Sequence, residues 1–211
     1  MTVLSIKPVG LRERKKLRTR EALADAAFEL FKRQGFEATT IDEIADQVEL
    51  SPRTFFRHFA SKEDVALTLM ERQFAAIYDA LAARPADEPV VTALRHATVE
   101  MMRACEAGMA GFDQERFSCA QQLIAENPSI RGRALELAAT RVDELAAHVA
   151  MRMGVDPTTD PRPTLVAAVA TTAVQTAVVA WRQLEPETHA SVLADRALAL
   201  LEGGINYPSA E

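Results

Sequence analysis

The sequence predicts an all-α protein in two parts: a small three-helix head, and a longer helix leading from it into a helical bundle. Three observations predict this. Apolar residues recur at helical spacing along the chain, and no stretch alternates as a strand would. Helix formers dominate, with only eight Gly and two Tyr in 211 residues. Charge is also divided, since residues 1–62 hold 12 Lys+Arg against 9 Asp+Glu, whereas residues 63–211 hold 12 against 21. All the lysines (7, 15, 16, 32 and 62) fall in the basic head. A basic head on an acidic body is the charge pattern of a nucleic-acid module joined to something else; a solvated basic face is the blander reading.

Each element has a local cause. In "RERKKLRTREALADAAFELFKRQG" the residues Leu23, Ala26, Ala27, Leu30 and Phe31 form one apolar face behind a basic lead-in, and Gly35 ends the helix. "TIDEIADQV" offers Thr40 as N-cap with Glu43 three residues on, a capping box, and a stripe of Ile41, Ile44, Ala45 and Val48. After a short break, Ser51 caps and Pro52 occupies the first helical position, where a missing N–H costs nothing, so "RTFFRHF" is expected to make two turns. Ser61 with Asp64 starts a fourth helix, expected to run unbroken over 61–82. The second and third helices, a turn of about four residues apart, have the spacing of a helix-turn-helix, whose second helix enters the major groove.

"ARPADEP" (83–89) breaks the chain after the fourth helix. Further helices are expected at about 90–106, 113–126 and 128–153, the last announced by Asn127-Pro128. The loop "GVDPTTDPRP" precedes helices at about 163–184 and 187–202, and Gly203-Gly204 ends them. The expected units are therefore a head over 11–60 and a body over 61–205.

Several functions are disfavoured. The start, "MTVLSIKPVG", has neither the apolar run nor the cleavage site of a signal peptide. Cys105 and Cys119 are too few for a disulfide framework, as suits a reducing compartment. His58, His96, His148 and His189 share no ligand spacing, so no metal site is expected. The apolar run "LVAAVATTAVQTAVVAW" (165–181) is Ala-rich, contains Thr and Gln, and falls just short of a bilayer span; it reads as a buried helix. No nucleophile elbow, zinc-protease helix, P-loop or dinucleotide fingerprint is present, so no enzyme is expected.

"LSPRTFFRHFASKEDV" (50–65) sets three phenylalanines among two arginines and a histidine. Phe55 and Phe59 lie four apart and should pack on the first two helices, anchoring a helix too short to hold itself. Arg53, Thr54, Arg57 and His58 then face elsewhere. A helix N-terminus favours phosphate, and arginine reads guanine bidentately. Phe56 is left open between core and contact surface, and Lys15, Lys16 and Arg18 between solvated face and DNA. A cation at a helix start opposes the dipole, so Lys62 makes better sense with a phosphate nearby.

Residues 35–65, "GFEATTIDEIADQVELSPRTFFRHFASKEDV", resemble the DNA-binding domain of TetR-type transcriptional regulators. The resemblance rests on Gly35-Phe36, Thr39-Thr40, Ile44-Ala45 and the run from Thr54 to Phe59 into Ser61-Lys62-Glu63. It implies a homodimer on a roughly palindromic double-stranded operator, with a ligand moving the fourth helix to release DNA. The implied DNA-contacting set is Thr39, Thr40, Pro52, Arg53, Thr54, Phe56, Arg57, His58 and Lys62. Two positions depart from the common pattern: Phe56 stands where many members have Tyr, and Arg53 where many have a small residue.

The body is less explicit. Phe74, Met101, Met102, Phe117, His148 and Trp181 are candidates for an apolar effector pocket, with plain core packing as the alternative for each. The resemblance implies a small-molecule effector, read as apolar, with no cofactor, and a dimer through the last two helices, where Ala167, Ala168, Ala170, Ala173 and Ala177 allow close approach. Two other readings are a redox sensor using Cys105 and Cys119, near Arg103 and Arg116, and a helical adaptor with no DNA role.

Overall fold

The first helix, α1 (Leu11–Gln34), is buried only along its second half, where Leu23, Ala27, Leu30 and Phe31 face inward. Its first turns, through Arg18, are exposed. The structure is a computed structural model that describes residues 10–204; residues 1–9 and 205–211 lie outside the described part. Gly35 ends α1 at φ 86°, a left-handed value that costs glycine nothing.

Helix α2 (Ile41–Gln47) starts with the expected capping box. Thr40 Oγ1 accepts the Glu43 N–H at 3.2 Å and the Glu43 carboxylate accepts the Thr40 N–H at 2.9 Å. The Thr40 N–H and hydroxyl, both donating to it, hold the Glu43 carboxyl below its ordinary pKa. The turn that follows forces Glu49 to φ 54°, a strained value for a residue with a Cβ. Helix α3 (Pro52–Phe56) is one turn shorter than the sequence implied. Its peptide N–H bonds run on to Phe59, but Arg57 already sits at the C-cap.

The fourth helix is not continuous. It forms α4 (Lys62–Ala66) and α5 (Thr68–Ala83), divided at Leu67 with φ −93° and ψ 2°. Thr68 is the local cause: its hydroxyl donates back to the Val65 carbonyl at 2.8 Å, competing with the helical backbone pattern.

The body contains α6 (Val90–Glu106), α7 (Gln114–Glu126), α8 (Pro128–Met153), α9 (Arg162–Leu184) and α10 (Ala190–Gly203), near the boundaries expected. α9 packs mainly on α8 and α10, and α10 also lies against α6. Two long-range caps tie this bundle. Glu106 accepts the N–H and hydroxyl of Ser191 at 2.9 and 2.6 Å, supplying the N-terminal cap that α10 lacks locally. Arg152 donates to the carbonyls of Leu81, Arg84, Pro85 and Glu88, closing the end of α5 onto α8. At 23 residues α9 is longer than its apolar run, and by length and composition alone it is enough to cross a membrane. Only 17% of its most apolar window is buried, so it is a bundle helix with one open face rather than the fully buried helix expected.

One apolar cluster runs from Leu23 through Phe55 and Leu94 to Leu198, joining head and body. Replacing Glu49→Gly should remove the left-handed strain and raise stability by about 0.5–1 kcal/mol, after the larger unfolded-state entropy of glycine is subtracted. Urea unfolding should show a higher midpoint at unchanged slope.

Candidate nucleic-acid interface

Helix α3 has two unlike faces. Phe55 is fully buried and Phe59 nearly so, their rings 5.6 Å apart. Ser51 Oγ accepts the Thr54 N–H at 3.2 Å and lies 3.0 Å from the Thr54 hydroxyl, and Pro52 sits at the first helical position. Arg53 and Arg57 are exposed and form no ion pair with any described residue. Between them Phe56 is 56% exposed, its ring set edge-on at 5.6 Å and 87° to that of Phe55. The choice left open for Phe56 falls to the surface. Lys15, Lys16 and Arg18 on α1 are exposed too, as is the N-cap Thr40.

Of the expected contact set, Thr39 is buried, and Lys62 and His58 are half-buried. Thr39 is 1% exposed and its hydroxyl donates to the Gly35 carbonyl at 2.7 Å, closing the α1–α2 turn. In this geometry it offers nothing to a phosphate. Lys62 donates to the carbonyls of Phe36 at 2.8 Å, Thr39 at 3.1 Å and Glu37 at 3.4 Å, with its ammonium 4.3 Å from the Phe36 ring centroid. The cation that opposes its own helix dipole is thus satisfied by loop carbonyls, without a phosphate. His58 turns Nδ1 into a buried position with no hydrogen-bond partner among the described residues, and lines a cleft of about 150 Å³ with Arg20, Asp64, Glu71 and Arg133. Burial, then Arg57, Lys16 and Arg20, lower its pKa.

The head meets the body through paired charges that sequence reasoning did not find. Arg20 on α1 meets Glu71 on α5 at 2.6 Å and lies over the Phe59 ring. Arg116 on α7 meets Asp25 on α1 at 2.6 Å and covers the Phe28 ring at 4.5 Å. Arg133 on α8 meets Asp64 on α4 at 2.8 Å, and Lys32 meets Glu115 at 3.0 Å. These partners stand 51 to 91 positions apart, so no local pattern marks them.

The six candidate pocket residues separate. Phe74 neighbours Tyr78, whose ring stacks on His148 at 4.5 Å between α5 and α8. Met101, Met102 and Phe117 are buried, and Met101 Sδ receives the Cys105 thiol at 3.7 Å. Trp181 instead donates its indole N–H to the Thr188 carbonyl at 2.8 Å, closing the α9–α10 turn. Cys105 is buried and Cys119 half-buried, and burial pushes both thiols up, away from the thiolate that redox chemistry needs.

Comparison with known proteins agrees with this geometry. Residues 23–69 match the family model described as bacterial regulatory proteins, tetR family, and residues 88–206 match that of the MftR C-terminal domain. Over 161 residues the chain is 40% identical to the HTH-type transcriptional regulator TcmR of Streptomyces glaucescens, covering 76% of this chain and 71% of that protein. The chain belongs to the TetR family. The TetR-family fold recurs in FadR of Thermus thermophilus, solved with lauroyl-CoA, at 23% identity and a TM-score of 0.53, covering 90% of this chain and 97% of that one. It recurs in SmeT, the repressor of a Stenotrophomonas maltophilia multidrug efflux pump, at 18% identity and a TM-score of 0.56, over 92% and 96%. As a TetR-family member, the protein is a ligand-responsive, DNA-binding transcriptional regulator with a helix-turn-helix head and a ligand-binding helical body.

Lys62→Met should cost about 1–3 kcal/mol of stability, because three loop carbonyls lose a charged donor. Urea unfolding should register that loss while the salt dependence of DNA binding keeps its slope; a slope lower by about one with stability unchanged would return Lys62 to the phosphate. The lowered pKa of His58 means that its stabilising effect is complete above its ordinary value of 6.5 and fades as pH falls through the folded value. Thermal melts of His58→Asn should therefore fall less steeply below pH 6.5 than those of the parent.

Proposed function

We propose that the protein is a repressor that binds a roughly palindromic operator as a homodimer and leaves it when a small apolar molecule enters the body. The observation carrying this reading is the exposed trio Arg53, Phe56 and Arg57 on a helix whose opposite face is locked in the core. Arg53 and Arg57 read base edges, since a guanidinium fork matches the O6 and N7 acceptors of guanine. Phe56, which has no hydroxyl to give a phosphate, makes an apolar contact with sugar or base. Thr40, Thr54, Pro52 and the basic first turns of α1 set the head against the phosphate backbone. The functional division is a head over 11–60 and a body from 61 onward, and the site of action is the cytoplasm, where an operator lies.

The open face of α9 supports the dimer. Leu165 and Val179 stand exposed on it, with Thr172 and Thr176 at helical spacing between them. Leu200 is likewise exposed, on α10. An apolar stripe of this length on a water-exposed helix calls for a partner surface. The effector reading is supported by the match of residues 88–206 to a TetR-type C-terminal domain and by an apolar body that includes the buried Met101, Met102 and Phe117. Of the solved relatives, FadR holds lauroyl-CoA and SmeT has been solved with triclosan.

Arg57→Ala should weaken operator binding by about 1–3 kcal/mol and relax the preference at one base position per half-site. Titrating the variant against operator and random DNA at fixed salt decides it. Equal losses on both would remove Arg57 from base reading.

A further inference from the structure

His58 follows Arg57 just past the end of α3, and its Nδ1 is buried with no hydrogen-bond partner among the described residues. An unbonded buried ring nitrogen is a modest cost for a neutral imidazole and a larger one for an imidazolium. The ring lines the cleft of about 150 Å³ between head and body, together with Leu67, where α4 gives way to α5. Charged groups bear on it from every element around that cleft. Lys16 and Arg20 come from α1, Arg57 precedes the ring, Asp64 comes from α4, Glu71 from α5 and Arg133 from α8. That is four cations against two carboxylates.

The two carboxylates are already engaged, Glu71 with Arg20 at 2.6 Å and Asp64 with Arg133 at 2.8 Å. The other two cations, Arg57 and Lys16, are exposed and meet no described acid. Burial, then Arg57, Lys16 and Arg20, hold the ring neutral to a lower pH than an ordinary histidine. The unanswered pair is also the pair that faces the operator, since Arg57 lies on the reading face and Lys16 in the basic first turns of α1. Phosphates brought against them supply the anions that the free head lacks, and the negative potential of the duplex favours a charged ring. Asp64 and Glu71, in the same cleft, are acceptors for the added N–H.

We propose that His58 is a proton-binding site linked to DNA binding: each head takes up a proton at this ring as it settles on the operator, and operator affinity rises as the pH falls. This rests on the reading of Arg57 and the first turns of α1 as DNA-facing. Linkage fixes the sign. A ring that holds its proton more tightly in the complex than in the free protein adds nothing to affinity well above both values. Its contribution grows as pH falls through the bound value and levels off below the free one.

The test uses the full-length protein and an operator duplex selected from random DNA, at constant ionic strength from about pH 8 to about pH 5.5. Operator affinity of the parent should rise about three-fold or more across that range. His58→Asn, which cannot take up the proton, should lose that rise. Calorimetry near the ordinary histidine value of 6.5, in Pipes and in imidazole buffer, should give binding enthalpies that differ for the parent and converge for the variant. NMR titration of the four histidine rings of the parent decides the case even where the variant folds poorly: one ring should titrate at higher pH in the complex than in the free protein. A pH dependence shared equally by parent and His58→Asn, an affinity that weakens toward acid pH, or four rings that titrate alike free and bound would overturn the proposal and leave the DNA-facing reading standing. Binding that ignores sequence at every pH would overturn it together with that reading.

Discussion

A helix of five residues closes too few hydrogen bonds to offset its own nucleation, and the proposed DNA-reading face of this protein rests on such a helix. α3 persists because Phe55 and Phe59 fasten it from below, Ser51 caps it and Pro52 pre-sets its first turn. That one-sided fastening is also what frees Arg53, Phe56 and Arg57. Phe55 and Phe59 are committed to the core, while Arg53, Phe56 and Arg57 face out. The strained backbone at Glu49 belongs to the same bargain, since the tight α2–α3 turn is what brings the short helix onto the core.

The head is fixed to the body by several modest contacts instead of one large interface. Arg20, Arg116, Arg133 and Lys32 each cross the junction to a carboxylate, and two of them also lie over aromatic rings. Partly exposed pairs of this kind contribute about 0–1 kcal/mol each, so they orient without locking. The interruption at Leu67 lies in the same region, where α4 leaves the head and α5 enters the body. On the proposed reading, an effector shifting α5 against α8 acts on the head through Arg133–Asp64 and Arg20–Glu71, and these weak links permit a small change in the body to re-aim α3.

Most of the fold was legible because its causes are local. Thr40 with Glu43 and Ser51 with Thr54 start helices through bonds three residues apart, Pro128 sits at the first position of α8, and Gly35 stops α1. What escaped was the competition between local and distant partners. The Thr68 hydroxyl divides a helix whose apolar pattern runs on without a break. Lys62 carries the right charge for a phosphate, yet carbonyls 23 to 26 positions away already hold it. Thr39 and Thr40 are identical side chains on adjacent positions, and backbone direction alone turns one into the core and the other out. Trp181 reads as pocket lining by its size, but the orphan Thr188 carbonyl next to it claimed its N–H.

The central claim is that α3 presents a sequence-reading face in a two-fold-related pair. Selection of binders from random double-stranded DNA by the purified protein tests it most directly. The account predicts enrichment of one motif made of two inverted half-sites, centred about one helical turn apart or a little more. Failure to enrich any motif, with binding that responds to salt but not to sequence, would contradict it.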